Sequence, residues 1–182
     1  MSKFYTRRGD DGTTGVLGEG RVTKYDLRME VLGAVDEATA ALGMARSLAK
    51  TTAVRGLLLN IQRDLYLLMA ESAATEENEE RFHAVNEDKV TWLEEQTDAL
   101  AGQVTLPKEF IVPGDTLAGA TLDMARTITR RAERRMAEWQ ARGGNQNPDL
   151  LRYLNRLSSL LFVLEFVENQ AAGMDSPTRA KG

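Results

Sequence analysis

Residues Arg126–Arg135 read R-T-I-T-R-R-A-E-R-R. At about 100° per residue, Arg126, Arg130, Glu133 and Arg134 gather on one side of a helix, and Met124, Ile128, Ala132 and Trp139 on the other. This spacing predicts an amphipathic helix with a cationic wall, running from about Thr116 to Ala141 and stopped by Gly143-Gly144. Two readings of the wall stand on this segment alone. It is a solvated surface of i,i+4 charge pairs, or it is one side of an anion site.

Outward from that helix the same period recurs. Leu27, Val31, Ala34, Val35, Ala38, Ala41, Leu42 and Ala45 predict a helix over about 26–49, and Leu57, Leu58, Ile61, Leu65, Leu68 and Met69 one over about 53–74. The acidic stretch from Thr75 to Glu80 reads as a solvated connection or a frayed helix end. Asn86 caps a third helix that carries Val90, Leu93, Thr97 and Leu100 and stops near Gly102. A loop with Pro107, Phe110, Pro113 and Gly114 precedes the arginine helix. Asn147-Pro148 then supplies a cap and a first-turn proline for a last helix reaching about Gln170. No repeat and no convincing strand alternation is present, so the fold class is all-α, a five-helix up-and-down bundle. The expected layout is a single domain: a loop over 1–24, helices over 25–170 and a flexible tail over 171–182.

The chain has 182 residues, 42% of them hydrophobic and 27% charged, with a net charge of −4. That suffices for one substantial core, and the acidic balance argues against a nucleic-acid partner. The arginine wall is therefore a local feature. With no cysteine, a disulfide framework, a thiolate metal site and a cysteine nucleophile are all excluded. No apolar leader and no run of about 18 apolar residues is found, so a cytoplasmic protein with no membrane partner is expected. The single histidine, His83, rules out the Glu-x-x-His pairs of di-metal helical bundles and leaves no support for a Ser-His-Asp triad.

The N-terminal segment is chemically richer. Gly9, Gly12 and Gly15 interleave with Asp10, Asp11, Thr13 and Thr14, a composition that lets backbone N–H groups and hydroxyls converge on phosphate oxygens. It is neither a Walker A loop nor a dinucleotide fingerprint, and an ordinary flexible terminus is the competing reading. Arg7, Arg8, Arg21 and Lys24 flank it, so the chain carries two separated cationic elements, which suit a polyphosphate. In the last helix, Asn155 and Arg156 interrupt an otherwise apolar run and need partners if buried. Asn155, Ser158, Ser159 and Phe162 share a face there, as a satisfied polar pair in a core helix or as a ligand contact. Phe110 is either core at a loop base or an apolar lid.

Five ordered blocks carry a resemblance: Tyr5–Gly15 (Y-T-R-R-G-D-D-G-T-T-G), Gly33–Glu37 (G-A-V-D-E), Phe110–Gly114 (F-I-V-P-G), Ala125–Arg134 (A-R-T-I-T-R-R-A-E-R) and Tyr153–Ser158 (Y-L-N-R-L-S). Together they resemble the PduO-type ATP:cob(I)alamin adenosyltransferases. The resemblance implies a ferritin-like, cobalamin adenosyltransferase-like bundle assembled as a homotrimer. ATP would lie between adjacent subunits with Mg²⁺ on its phosphates, and a corrinoid over the helix ends. Cob(I)alamin would attack the 5′ carbon of ATP, giving adenosylcobalamin and triphosphate, and a reductase or a cobalamin-dependent enzyme is an implied partner.

By matching position, Thr6, Arg7, Gly9, Asp10, Gly12, Thr13, Thr14 and Lys24 would wrap the nucleotide, completed by Arg126, Arg130, Glu133 and Asn155. Asp36 would pair with Arg126 across the subunit boundary, and Phe110 and Phe162 would border the corrinoid. The chain departs from the family pattern at Asp115, Ser159, Glu165-Phe166 and Ala38-Thr39, mostly on the corrinoid side. An ATP-binding regulatory or chaperone-like bundle with impaired transfer is the alternative those departures leave open.

Overall fold

The computed structural model describes residues 5–174 and 176–181. It is mostly helical, with six α-helices: α1 (Leu27–Leu48), α2 (Thr52–Ala73), α3 (Glu79–Phe82), α4 (Glu87–Ala101), α5 (Leu117–Ala141) and α6 (Pro148–Ala171). The five long ones begin on side chains that accept a hydrogen bond from the first turn, namely Asp26, Thr51, Asn86, Thr116 and Asn147. Gly143, at φ 89°, closes α5 in the left-handed region that favours glycine.

The helices pack as α1 on α2 and α5, and α6 on α4 and α5. Residues that meet across α1 and α5, Glu30 with Arg135 and Glu37 with Arg131, run in opposite directions along the two helices, so that pair is antiparallel. Leu42, Leu58, Ile61, Leu65, Leu68, Leu122, Met136, Tyr153, Leu154 and Leu157 are fully buried between them. The core is therefore the union of the apolar stripes read from the sequence. One stripe needs correction. On α5 the buried line is Leu122, Ala125, Thr129, Ala132, Met136 and Trp139, whereas Met124 is 40% exposed.

Buried carboxylates join the helix ends. Glu168, fully buried on α6, accepts from the backbone N–H of Lys50 (2.6 Å) and Thr51 (3.2 Å) and from the Thr51 hydroxyl (2.8 Å). Glu71, at the end of α2, accepts from the N–H of Ala84 and Val85 and from the Asn147 amide at 2.6 Å, with His83 Nδ1 3.1 Å away. His83 thus belongs to a polar junction.

Three segments differ from the sequence expectation. Within the N-terminal loop, β1 (Thr13–Gly15) pairs antiparallel with β2 (Arg21–Thr23), a hairpin whose three-residue strands are too short to show alternation. The acidic connection folds into a 3₁₀ turn (Glu76–Asn78) and α3. The tail is held where it is described: Ile111 and Arg179 form an antiparallel bridge, Val112 N–H donates to Thr178 C=O, and Ala180 N–H donates to Phe110 C=O. Its backbone had a pairing partner in the Phe110 loop that composition could not reveal. Residues 1–4, 175 and 182 of the expected loop and tail lie outside the described residues. Among the described residues, no helix is long and apolar enough to cross a membrane.

Candidate active site

The N-terminal segment is shaped by its own polar side chains. Asp11 accepts from the N–H (2.9 Å) and the hydroxyl (2.8 Å) of Thr13, and these bonds, aided by Arg21, hold its carboxyl below the usual range. Arg21 donates to the Thr13 hydroxyl (2.8 Å) and to the carbonyl of Arg8 (2.6 Å), which staples the turn before β1 to the hairpin. Lys24 N–H donates to Gly12 C=O at 2.9 Å. The Lys24 ammonium lies close to where a Cβ on Gly9 would stand, 3.1 Å away, so glycine lets the cation sit over the turn. Gly12 has φ 81° and Arg7 φ 61°, the latter a left-handed conformation uncommon outside glycine. Thr6, Arg7 and Asp10 are exposed around this turn, and Thr13 and Thr14 are half-buried in β1.

The second element is the wall of α5. Arg130 Nη1 lies 3.9 Å from Glu133, and Asn155 of α6 donates its amide to Glu133 Oε1 at 2.6 Å. Arg126 donates to Asp123 at 2.7 Å. Arg131 pairs with Glu37 and Arg135 with Glu30, so these two tie α5 to α1. Asp36, on α1, is exposed and forms no ion pair among the described residues. Neither a hydrogen bond nor an ion pair among the described residues joins the N-terminal segment to Arg126, Arg130, Glu133 or Asn155. The structure thus brings Arg130, Glu133 and Asn155 together within one chain.

A third feature adjoins the wall. Phe110, 91% exposed, stands with Phe162, Ile111, Pro113, Asp123 and Arg126 around an open cavity of about 360 Å³. A phenylalanine left so fully in water has apolar surface for an occupant to cover. Phe162 meets Phe166 edge-on, with ring centroids 5.0 Å apart.

A family model described as cobalamin adenosyltransferase matches residues 4–168. The chain belongs to that family. Among its relatives, the corrinoid adenosyltransferase of Citrobacter freundii is 37% identical over 169 residues, covering 92% of this chain and 96% of the relative. The corrinoid adenosyltransferase of Bacillus subtilis (strain 168) is 36% identical over 178 residues, covering 94% and 89%. A variant PduO-type ATP:corrinoid adenosyltransferase from Lactobacillus reuteri, solved in complex with cobalamin and ATP, superposes with a TM-score of 0.90 at 33% identity, over 99% of this chain and all of that one.

As a cobalamin adenosyltransferase family member, the chain makes its departures from the family pattern intelligible by packing. Asp115 accepts from both the N–H (3.0 Å) and the hydroxyl (2.6 Å) of Thr178, fastening the tail. Phe166 is buried against Phe162, while Ser159 is exposed. Glu165 is 1% exposed, and its Oε2 has no hydrogen-bond partner among the described residues. Burial, with Asp123 and Asp115 nearby and only Arg126 opposing, pushes its carboxyl up to about 7. Sequence reasoning missed Asp123 and Glu94, and read Glu165 as a departure from the family pattern without seeing its burial. Asp123 stands three residues before Arg126, a spacing that allows a helical ion pair, so that partner was readable. Glu94 meets its partner only through the packing of α4 on α6.

Proposed function

We propose that this protein transfers the 5′-deoxyadenosyl group of ATP to cob(I)alamin, releasing triphosphate. The Co(I) electron pair forms the Co–C bond at C5′ as the C5′–O bond breaks, and that bond's electrons leave with the triphosphate. The nucleophile belongs to the substrate, which is why a chain without cysteine needs no activated side chain of its own. One observation carries the reading. Arg126 lines the Phe110–Phe162 cavity one helical turn before Arg130 of the Arg130–Glu133–Asn155 cluster, in a chain that superposes over nearly its whole length on a relative complexed with both cobalamin and ATP.

In this reading Thr6, Arg7, Gly9, Asp10, Gly12, Thr13, Thr14 and Lys24 wrap the nucleotide, and Arg130, Glu133 and Asn155 complete its site. Arg130 faces the triphosphate, which carries about four negative charges near neutrality. A guanidinium placed where the leaving group's charge develops lowers the barrier electrostatically. Among the described residues no three His, Cys, Asp or Glu side chains come together to hold a metal ion. Magnesium would belong to the substrate, as the counter-ion of the triphosphate, as the family resemblance implies. Phe110 and Phe162 present an apolar border to the corrinoid and exclude water from its lower face.

Among the described residues no hydrogen bond or ion pair joins the glycine-threonine segment to the α5 wall. The active site we propose therefore lies between neighbouring subunits of a homotrimer of five-helix bundles, with Asp36 of one chain against Arg126 of the next. The deciding assay mixes protein, MgATP and chemically reduced cob(I)alamin. Loss of the Co(I) absorbance with growth of the alkylcobalamin spectrum is expected. ATP binding without alkylcobalamin overturns the proposal in favour of a nucleotide-binding regulator.

A further inference from the structure

Asn155 has a neighbour that the nucleotide site does not use directly. Arg156 donates from Nη1 to Asn155 Oδ1 at 2.6 Å, and from Nε to Glu94 Oε1 of α4 at 2.6 Å. The line Glu94–Arg156–Asn155–Glu133 thus crosses from α4 through α6 to α5 in three short bonds. We propose that Arg156 and Glu94 are positioning residues of the nucleotide site: they fix which way the Asn155 amide faces and thereby hold Glu133 off Arg130. This inference rests on the function proposed above.

The argument is one of donors and acceptors. A primary amide presents an oxygen on one side and an NH₂ on the other, and the two ends have nearly the same shape. The guanidinium of Arg156 has only N–H groups to offer, so the amide oxygen must face it. The NH₂ is then left for Glu133, which as a carboxylate can only accept. A flipped amide would set donor against donor at Arg156 and acceptor against acceptor at Glu133, losing both bonds together. Glu94 matters because Arg156 is a long side chain whose charged end is partly exposed. An ion pair at its Nε leaves Nη1 directed at Asn155.

The consequence reaches the reacting groups through Glu133. With Oε1 occupied by Asn155, Glu133 keeps its Oε2 3.9 Å from Arg130 Nη1, a long ion pair without a hydrogen bond. The guanidinium therefore keeps its donors for the triphosphate. Without an oriented Asn155, Glu133 closes on Arg130 and competes with the leaving group for it. Since that group gains its full charge only as the C5′–O bond breaks, kcat suffers more than the apparent KM for ATP.

Two variants test this. Arg156→Gln is expected to lower kcat by roughly ten- to a hundredfold with less than about a threefold change in KM. The charge-swapped double variant Glu94→Arg with Arg156→Glu restores an ion pair between α4 and α6, and with it thermal stability. It sets a carboxylate against Asn155, which turns the amide over. If the residues merely tie helices together, the swap recovers turnover along with stability. If they position, stability returns and kcat stays low. Full activity in Arg156→Gln, or recovery of kcat in the swap, overturns the inference alone. Wild-type protein that yields no alkylcobalamin removes the functional reading first, and this inference with it.

Discussion

A carboxylic acid with 1% of its surface exposed and one oxygen unpartnered is unusual in a helix interior, and Glu165 is such a group. Its carboxyl titrates near 7 in the folded chain, against an ordinary value of 4.5. Between those two values the folded form holds a proton that the unfolded chain has lost, so stability falls as pH rises through the window. The loss is absent below the lower value and complete above the upper one, at about 3 kcal/mol. Glu165→Gln keeps the shape without the charge. Urea titrations from pH 4 to pH 8 should find its stability nearly flat while that of wild type declines; parallel curves would remove Glu165 as the cause. Arg130 poses the opposite case, a side chain half in water whose value is chemical. Arg130→Ala should lower kcat by about 10² to 10³ and leave the helical circular dichroism unchanged. An unaffected rate would refute its role at the triphosphate.

Among the elements, α2 depends on a residue far from it in sequence. The turn from α1 into α2 offers the N–H groups of Lys50 and Thr51, and Glu168 accepts both from inside the bundle. Glu168→Ala leaves those donors, on exposed Lys50 and half-buried Thr51, without their acceptor and should cost about 3 kcal/mol in a denaturant titration. A loss below about 1 kcal/mol would mean that water replaces the carboxylate without penalty. The five long helices were legible because period and caps coincide: Asp26, Thr51, Asn86, Thr116 and Asn147 each precede an apolar stripe. The β1–β2 hairpin was not, since three residues of Thr, Gly, Arg and Val carry no readable alternation. Of the candidate site, Arg130 and Glu133 were readable from the α5 face they share and Asn155 from its family block, and the structure brings the three together. The acceptor of Arg156 and the burial of Glu165 follow from how helices meet, which a one-dimensional pattern does not encode.

At the scale of the molecule, the proposed division of the site between neighbouring subunits bears on assembly. Asp36 is exposed on α1, and Arg126 has Asp123 as its partner within the chain. If Asp36 of a neighbour also reaches Arg126, Asp36→Ala should shift sedimentation from trimer toward smaller species and reduce adenosyl transfer in step. Unchanged sedimentation with unchanged rates would count against that contact. The pairing of Phe110, Val112 and Asp115 with Thr178 and Ala180 has a different consequence, one of kinetics. The loop that presents Phe110 and the strand from the far end of the sequence cannot open separately, because each supplies the hydrogen bonds the other uses. Amide hydrogen exchange should therefore find Val112 and Ala180 protected to the same degree and released in one cooperative event. Unequal protection would mean that the two move independently. With shared protection, any change that loosens the chain's end shortens the time for which Phe110 is held in place.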